Sequence, residues 1–523
     1  METLSYVLNF LALSSLFLLL YGVAKALYTI WLRPKWLERN LKRQGIRGTP
    51  YNPLVGDMKE FVRLITEAWS KPLSLTHQIV PRVDPFTLTT VQKYGSISMC
   101  WMGTTPRLII KDPELIKQIL SNKLGHFSKP PISPLIRVLN RSGLTILDGE
   151  DWARHRRIIN PAFHLERLKE MVPAFTVSCG KMIEEWKKMV NEQGTCEADM
   201  WIELQKLTAD VISRAAFGSS YEEGKKIFEL QKELIKLTLE AMQGIYIPGF
   251  RFVPTRKNRR RTKLDKEITS MLRKIIENKM DSMKTGRTKV DDLLGLLLQS
   301  SNQNSLPEHA SGNKSPGMTL EEVIEECKQF YLAGQETTST WLTWTVIVLA
   351  IHPEWQEKAR QEVLELCGKK QPDFECISHL KIVTMILNEV LRLYPPVIAQ
   401  YLHAYNETKI GHITIPAGVD LNLPTLLIHH DHELWGEDAE EFKPDRFAEG
   451  VAKACKEQLA FFPFGWGPRT CIGQSFAMTE AKFALTMILQ HFSWELSPSY
   501  AHTPYTVMTL QPQHGAQISL HQL

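Results

Sequence analysis

Phe464-Gly465-Trp466-Gly467-Pro468-Arg469-Thr470-Cys471-Ile472-Gly473 is the stretch on which the reading of this chain turns. An apolar helical pattern begins at Ser475, so Cys471 stands where a loop enters a helix. Free N–H groups and the dipole at a helix start favour thiolate over thiol, which makes Cys471 a candidate metal ligand with a lowered pKa. Gly467 permits a turn that a side chain would obstruct, and Gly473 lets the backbone approach a flat bound group. A lone cysteine in a Gly-rich turn is otherwise inert packing. The chain has 8 cysteines with no CxxC pair and no regular spacing, so neither a zinc site nor a disulfide scaffold is expected.

Outward from this loop, Thr319-Leu-Glu-Glu322 reads as a capping box opening a helix that His352-Pro353 ends. At ~1.5 Å per residue, its ~32 residues cross a whole domain. Its middle reads Ala333-Gly334-Gln335-Glu336-Thr337-Thr338. Small residues there suit the close approach of a ligand and a kink, although an interior glycine costs about 1 kcal/mol. Glu336 and Thr337 pair an acid with an alcohol, able to hold water and pass protons from solvent. Further on, Ile382, Met385, Ile386 and Glu389 share one helical face, and Arg392 continues it. A buried charge stripped of its partner costs roughly 3–5 kcal/mol, so Arg392 is expected to take Glu389 in a bidentate fork. Trp152 and Arg156, four apart, share a face of a basic turn.

Phe464, Gly467, Arg469, Cys471 and Gly473 closely resemble the haem-binding loop of the cytochrome P-450 superfamily. Ala333 to Thr338 resembles that family's A-G-x-(D/E)-T-T motif, and Trp152 with Arg156 its W-x-x-x-R motif. Phe442-Lys-Pro444-Asp-Arg446-Phe447 resembles its PERF motif, with Asp445 in place of Glu. The motifs stand in the family's order, and the resemblance covers essentially the whole chain. It implies a mainly α fold with a small β-sheet region, a triangular helical prism behind an N-terminal transmembrane helix. It implies haem b with Cys471 as thiolate ligand to the iron, cradled by Phe464, Gly467 and Gly473. Trp152, Arg156 and Arg469 would contact the propionates. Glu389, Arg392 and Arg446 would form a cluster supporting the cysteine loop. One departure stands out: after Tyr394-Pro-Pro396, where the family places a further propionate-binding Arg or His, this chain has Leu402 with His403 beside it. Either His403 takes the role through a backbone shift, or that propionate relies on Arg469.

The implied reaction inserts one atom of O2 into a C–H bond and releases the other as water, with Glu336 and Thr337 delivering protons. Electrons would come from NADPH through a membrane-bound NADPH–cytochrome reductase docking on basic residues near the cysteine face, with cytochrome b5 as an auxiliary donor. The chain carries no dinucleotide-binding glycine fingerprint, so NADPH is used indirectly. By resemblance, Thr145, Ala333, Val397, Ile398, Tyr401 and Tyr505 line the substrate cavity, whose mostly apolar walls imply a hydrophobic, isoprenoid-derived substrate. Asn160-Pro-Ala-Phe163-His and Asp210-Val-Ile-Ser-Arg-Ala-Ala-Phe217-Gly are similar to a plant branch that includes secologanin synthase and oxidases of iridoids, triterpenoids and hormones. Two other readings are a haem-thiolate isomerase or dehydratase acting on hydroperoxides, against which Glu336-Thr337 argues, and a non-catalytic haem-binding protein.

Leu4 to Ala24 carries no charge, and roughly 20 such residues span a ~30 Å hydrocarbon core. Lys25, Arg33, Lys35, Arg39, Lys42, Arg43 and Arg47 follow, so the positive-inside bias places the body in the cytosol, as a single-pass protein of the endoplasmic reticulum membrane. A luminal body would instead make Asn140 and Asn406 glycosylation acceptors. Residues 1–25 are expected to be the anchor, 26–57 a basic linker and Pro/Gly hinge, and 58–523 the catalytic domain. Helical periodicity covers 164–193, 200–217, 224–243, 262–284, 320–351, 354–367, 379–394 and 475–491, with strands at 97–102, 108–110 and within 410–423. The basic run from Arg256 to Lys263 suits a solvated face or membrane lipid. A net charge of only +5 over 523 residues, with no concentrated stripe, argues against nucleic acid.

Overall fold

The computed structural model describes residues 2–122, 125–131, 137, 139, 141–219, 221–242, 253–285, 292–303, 317–455 and 458–523. Asn140 and most of the polar segment 300–317 lie outside the described residues. The chain is mainly helical with small sheets, as the resemblance implies. The expected helices appear at Met200–Phe217, Tyr221–Met242, Arg256–Lys284, Leu320–Ile351, Pro353–Leu366, Lys381–Leu393 and Gln474–His491. The span 164–193 is interrupted at Met171, giving Leu165–Glu170 and Val172–Met189, because Pro173 fits only the first turn of a new helix. The helices Met58–Ser70, Pro85–Tyr94 and Pro113–Ser121 were not anticipated.

The chain divides into two compact units. The first comprises residues up to Lys71, Val80–Pro130 and Ala399–Leu427. Its six-stranded sheet runs Arg47–Gly48, Ile97–Met102, Thr105–Ile110, Asp420–Leu423, Gln400–Ala404, Phe127–Ser128 in spatial order. The expected hairpin turns at Gly103, whose φ of 65° suits glycine, and pairs Trp101 with Pro106. The segment 410–423 yields three short strands, Thr408–Ile410, Ile413–Ile415 and Asp420–Leu423.

The apolar N-terminal helix Glu2–Leu27 is long enough to cross a membrane, and its apolar window has no buried residue. It continues through a wide turn at Tyr28–Leu32 into the helix Arg33–Arg43. The basic stretch expected as a linker is therefore helical to Arg43, and it belongs to the core of this unit: Leu37 and Leu41 are buried. Tyr51 Oη donates to Ile30 O at 2.5 Å, and Gln44 exchanges hydrogen bonds with the backbone of Thr414 at 2.8 and 2.6 Å. The Arg33 guanidinium lies over Gly418, where an added Cβ would fall 2.0 Å from a guanidinium nitrogen.

The second unit comprises Pro72–Ile79, Pro131–Ile398 and Ile428–Leu523. Leu320–Ile351 is its central helix, opened by the expected capping box: Glu322 N donates to Thr319 Oγ1 at 3.2 Å, and Thr319 N to Glu322 Oε2 at 2.7 Å. The helix Met200–Phe217 packs tightly along it. At Gly334 a Cβ would fall 2.7 Å from Ile212, so this glycine serves helix packing rather than ligand approach. Two small sheets complete the unit: Phe492–Leu496, Gln517–Gln522 and Thr195–Asp199 in one, and the hairpin of Pro504–Thr506 with Leu510–Pro512 in the other.

Glu480, on the helix Gln474–His491, is 1% exposed, and neither carboxyl oxygen has a hydrogen-bond partner among the described residues. Burial pushes its pKa well above the carboxylate range. The folded chain therefore holds a proton that the unfolded chain releases above pH ~4.3, and stability falls as pH rises through and beyond that value. Glu480→Gln is expected to remove this slope. By scanning fluorimetry the variant should melt higher at neutral pH, by the equivalent of ~1–3 kcal/mol, with the gap closing near pH 4. Equal melting at pH 7 would show that the carboxyl has found a partner.

Candidate active site

The ring of Trp341, on the central helix one turn beyond Thr337, meets the ring of Phe464 edge-on at 6.1 Å, which joins that helix to the cysteine loop. Gly465 and Gly467 carry φ of 76° and 72°, the turns that let the loop double back before the short Gly467–Arg469 helical turn. Cys471 N donates to Phe464 O at 2.8 Å, closing the loop on itself.

Cys471 is surrounded by protein, and its surface is nevertheless exposed. Burial pushes the thiol's pKa up, opposed by the Gly473 N–H and the charge of Arg156. Against the lowering expected from the helix start, enclosure outweighs the donors and the shift is upward. A Cβ at Gly473 would lie 3.9 Å from the sulfur, filling space beside it.

Helix Gly149–Ile159 lies against the loop. Arg156 Nη1 donates to Thr470 O at 2.9 Å, and the Arg469 guanidinium sits 4.5 Å from the centre of the Trp152 ring. Arg469 also donates to Leu147 O at 2.8 Å and pairs with Asp148. Burial lowers the pKa of both arginines. Trp152, Arg156, Arg469 and Cys471 are therefore brought together as the sequence implied. Behind them, His155 is fully buried with Nδ1 2.6 Å from Glu326, and Arg154 pairs with Glu322 at 2.5 Å. These ties to the central helix were not legible in the motif.

The central helix is buried from Val323 to Tyr331 and again from Thr338 to Leu349, and opens only between, over 332–337, with Ala333 the most exposed. Thr337 Oγ1 donates to Ala333 O at 2.7 Å. Glu336 points elsewhere: its Oε1 accepts from Thr509 Oγ1 at 2.8 Å and from Gln511 Nε2. Burial raises the Glu336 pKa, and these two bonds work against that rise. Glu336 also lines a cavity of ≈ 880 Å³. Thr509 and Gln511 escaped the sequence reading, because they reach Glu336 from 173 and 175 positions away.

The charge cluster is present in full. Arg392 forks onto Glu389 at 2.8 and 2.7 Å, both 0% exposed, and Arg446 Nε lies 3.4 Å from Glu389. Arg446 also pairs with Asp438 at 2.7 Å. Arg392 Nη1 donates to His429 O at 2.8 Å. His429 in turn donates from Nδ1 to Arg392 O at 3.2 Å, and its Nε2 accepts from Phe462 N at 3.3 Å. Burial and the Arg392 charge push the His429 pKa down to about 3, so it is neutral, as one donor and one acceptor require. His429 links the cluster to the chain entering the cysteine loop, and no motif had flagged it.

The other expected residues have partners or surroundings of their own. Thr145 is exposed, and its N–H and hydroxyl both donate to Gln329 Oε1 at 2.9 Å. Val397 is exposed and Ile398 half-buried. Tyr505 lines the cavity at Glu336. His403 and Tyr401 belong to the first unit. There His403 Nδ1 lies 2.7 Å from Asp420, which commits that nitrogen, and Tyr401 stacks on Arg107 at 4.8 Å.

The residues fit a haem: an enclosed but open thiol, a glycine beside it, and two arginines and a tryptophan converging on one loop. A family model described as Cytochrome P450 matches residues 84–520. A Paris polyphylla protein named cytochrome P450 CYP72A616 is 56% identical over 495 residues, 94% of this chain and 95% of its own. The 11-oxo-beta-amyrin 30-oxidase of Glycyrrhiza uralensis is 51% identical over 95% of this chain and 94% of its own. The 7-deoxyloganic acid hydroxylase of Catharanthus roseus is 49% identical over 97% of each.

Proposed function

The chain belongs to the cytochrome P450 family, and on that premise we propose that it is a monooxygenase oxidising hydrophobic terpenoids, with Cys471 as iron ligand and Glu336 and Thr337 handling protons. Bound haem b supplies oxygen activation and the transfer of one oxygen atom to a C–H bond, with electrons from NADPH through a reductase. The observation that carries the residue assignment is the opening of the central helix over 332–337, next to the turn where Trp341 meets Phe464. The relatives named as a triterpenoid oxidase and an iridoid acid hydroxylase support the substrate class.

Cys471 provides the sulfur, and Arg156 stabilises its negative charge. Trp152, Arg156 and Arg469 form the propionate side. Glu336 Oε1 is saturated by Thr509 and Gln511, which leaves Oε2 to carry the proton that the raised pKa favours. The adjoining cavity resupplies Glu336 from solvent. Thr337 spends its own proton on Ala333 O, so its oxygen accepts a bond from water and holds that water over the open turn. The apolar first helix followed by basic residues supports a single-pass endoplasmic reticulum protein with its body in the cytosol, in contact with lipid, the reductase and cytochrome b5.

Microsomes containing the chain and a reductase, given a terpenoid panel, should form NADPH-dependent, carbon monoxide-sensitive products one oxygen heavier. A normal reduced carbon monoxide spectrum with no product from any terpenoid would overturn the substrate class. Thr337→Ala should keep NADPH oxidation while product per NADPH falls on the order of tenfold or more and peroxide rises. Coupling equal to the parent's would remove Thr337 from proton handling.

A further inference from the structure

We infer that Cys367 and Cys376 form a peroxide-responsive dithiol, which hydrogen peroxide closes to a disulfide and a thiol reductant reopens. Cys367 ends the helix Pro353–Leu366, and Cys376 lies in the short helix Phe374–His379. Both are half-buried, so solvent reaches them. A side-chain hydrogen bond joins the two thiols. Contacts on both flanks hold the segments together. Gly368, with a φ of 61°, turns the chain back just past Cys367. Glu362, on the helix that Cys367 ends, accepts from the N–H groups of Lys381, Ile382 and Val383 at 2.7, 2.8 and 3.0 Å, just beyond Cys376. From the helix Gln474–His491, Gln490 Nε2 donates to Gly368 O and Lys370 O at 2.8 and 3.0 Å, and Lys482 Nζ to Ile377 O at 3.4 Å. The helix that follows Cys471 thus grips the chain on either side of the dithiol.

Burial raises the Cys367 pKa, and the hydrogen bond with Cys376 and the charges of Asp373 and Glu362 add to the rise. Cys367 therefore keeps its proton, and Cys376 attacks first. Its thiolate takes one oxygen of the peroxide, leaving a sulfenic acid on Cys376 and, with a proton, a water. The sulfur of Cys367 then gives up its proton and displaces the hydroxyl from Cys376, releasing a second water. Two S–H bonds and the O–O bond break, while one S–S bond and two O–H bonds form. In a reducing compartment such a bridge is transient and redox-sensing rather than structural. Uncoupled oxygen use by the proposed monooxygenase is one source of peroxide, and the thiol chemistry does not depend on it.

Reduced holoenzyme in nanodiscs is treated with a small excess of hydrogen peroxide, alkylated with iodoacetamide and digested with trypsin, which cuts after Lys369 and Lys370 between the two cysteines. Alkylation of Cys367 and Cys376 should be lost together, and the peptides Gln361–Lys369 and Gln371–Lys381 should appear joined, each lighter by one hydrogen. Dithiothreitol should restore both. Diamide, an oxidant that takes the hydrogens and spares haem, should give the same bridge while the ferric Soret band persists, which separates the result from unfolding. In Cys367→Ser, the bridge should be replaced by a dimedone adduct on Cys376, the trapped sulfenic acid. Undiminished alkylation at both positions in the parent protein, or either cysteine bridged to a different one, overturns the dithiol. Absence of the dimedone adduct in Cys367→Ser overturns Cys376 as the attacking thiol.

Discussion

Glu389→Ala is expected to yield almost no haem-loaded protein. Arg392 is 0% exposed, and its strongest partner is the Glu389 fork. The rest of its guanidinium is spent on the carbonyls of His429, Ala439 and Glu441 at 2.8, 2.5 and 3.1 Å. Removing the carboxylate leaves a buried cation with dipoles alone, at roughly 3–5 kcal/mol, a large part of a typical net stability of ~5–15 kcal/mol. Glu389 also accepts from Lys443 N at 3.0 Å, so the Phe442–Phe447 segment loosens as well. The damage then travels by hydrogen bonds: Arg392 O holds His429, and His429 holds Phe462 N, two residues before Phe464. The reduced carbon monoxide difference spectrum, normalised to protein by immunoblot, should fall nearly to zero. Glu389→Gln, which keeps an acceptor for Arg392, should retain a fraction of it. A full spectrum from the alanine variant would mean that the cluster is not needed for loading.

Cys471→Ser is expected to abolish the strongly red-shifted reduced carbon monoxide band and NADPH-dependent turnover together, even where some haem is retained. Every other thiol is less accessible than Cys471. Cys100, Cys179 and Cys327 are buried, and burial pushes each pKa up, to about 12 for Cys100. Cys471 alone among the cysteines is exposed. Hydroxyl oxygen is a harder and far less acidic donor than sulfur, so serine cannot restore electron donation to the iron. Retention of the band in Cys471→Ser would move the search for the ligand to another residue.

The parts legible in the sequence are those whose chemistry is local or whose spacing is helical. The capping box at Thr319 and Glu322, the Glu389–Arg392 fork and the Trp152–Arg156 face each lie within four residues, so the helix itself brings them together. Partners recruited across the chain left no such trace. His429 reaches both Arg392 and Phe462, 37 and 33 positions away, and Asp438, which the motif does not include, pairs with Arg446. Gly334 shows the opposite error: read as a place for a ligand, it is demanded by Ile212 on a neighbouring helix. The thiol of Cys471 was misjudged because loop position is visible in the sequence, and enclosure by distant residues is not.

The helix that begins in the apolar N-terminal segment and ends at Arg43 leaves the first unit no slack. It is welded in by Tyr51, Gln44 and the Arg33–Gly418 contact. As the membrane anchor proposed above, this helix would behave as a mast rather than a leash. Truncations on either side of it are consequently unlike: cutting before Tyr28 removes only the greasy segment, whereas cutting after Arg43 pulls Leu37 and Leu41 out of a folded core.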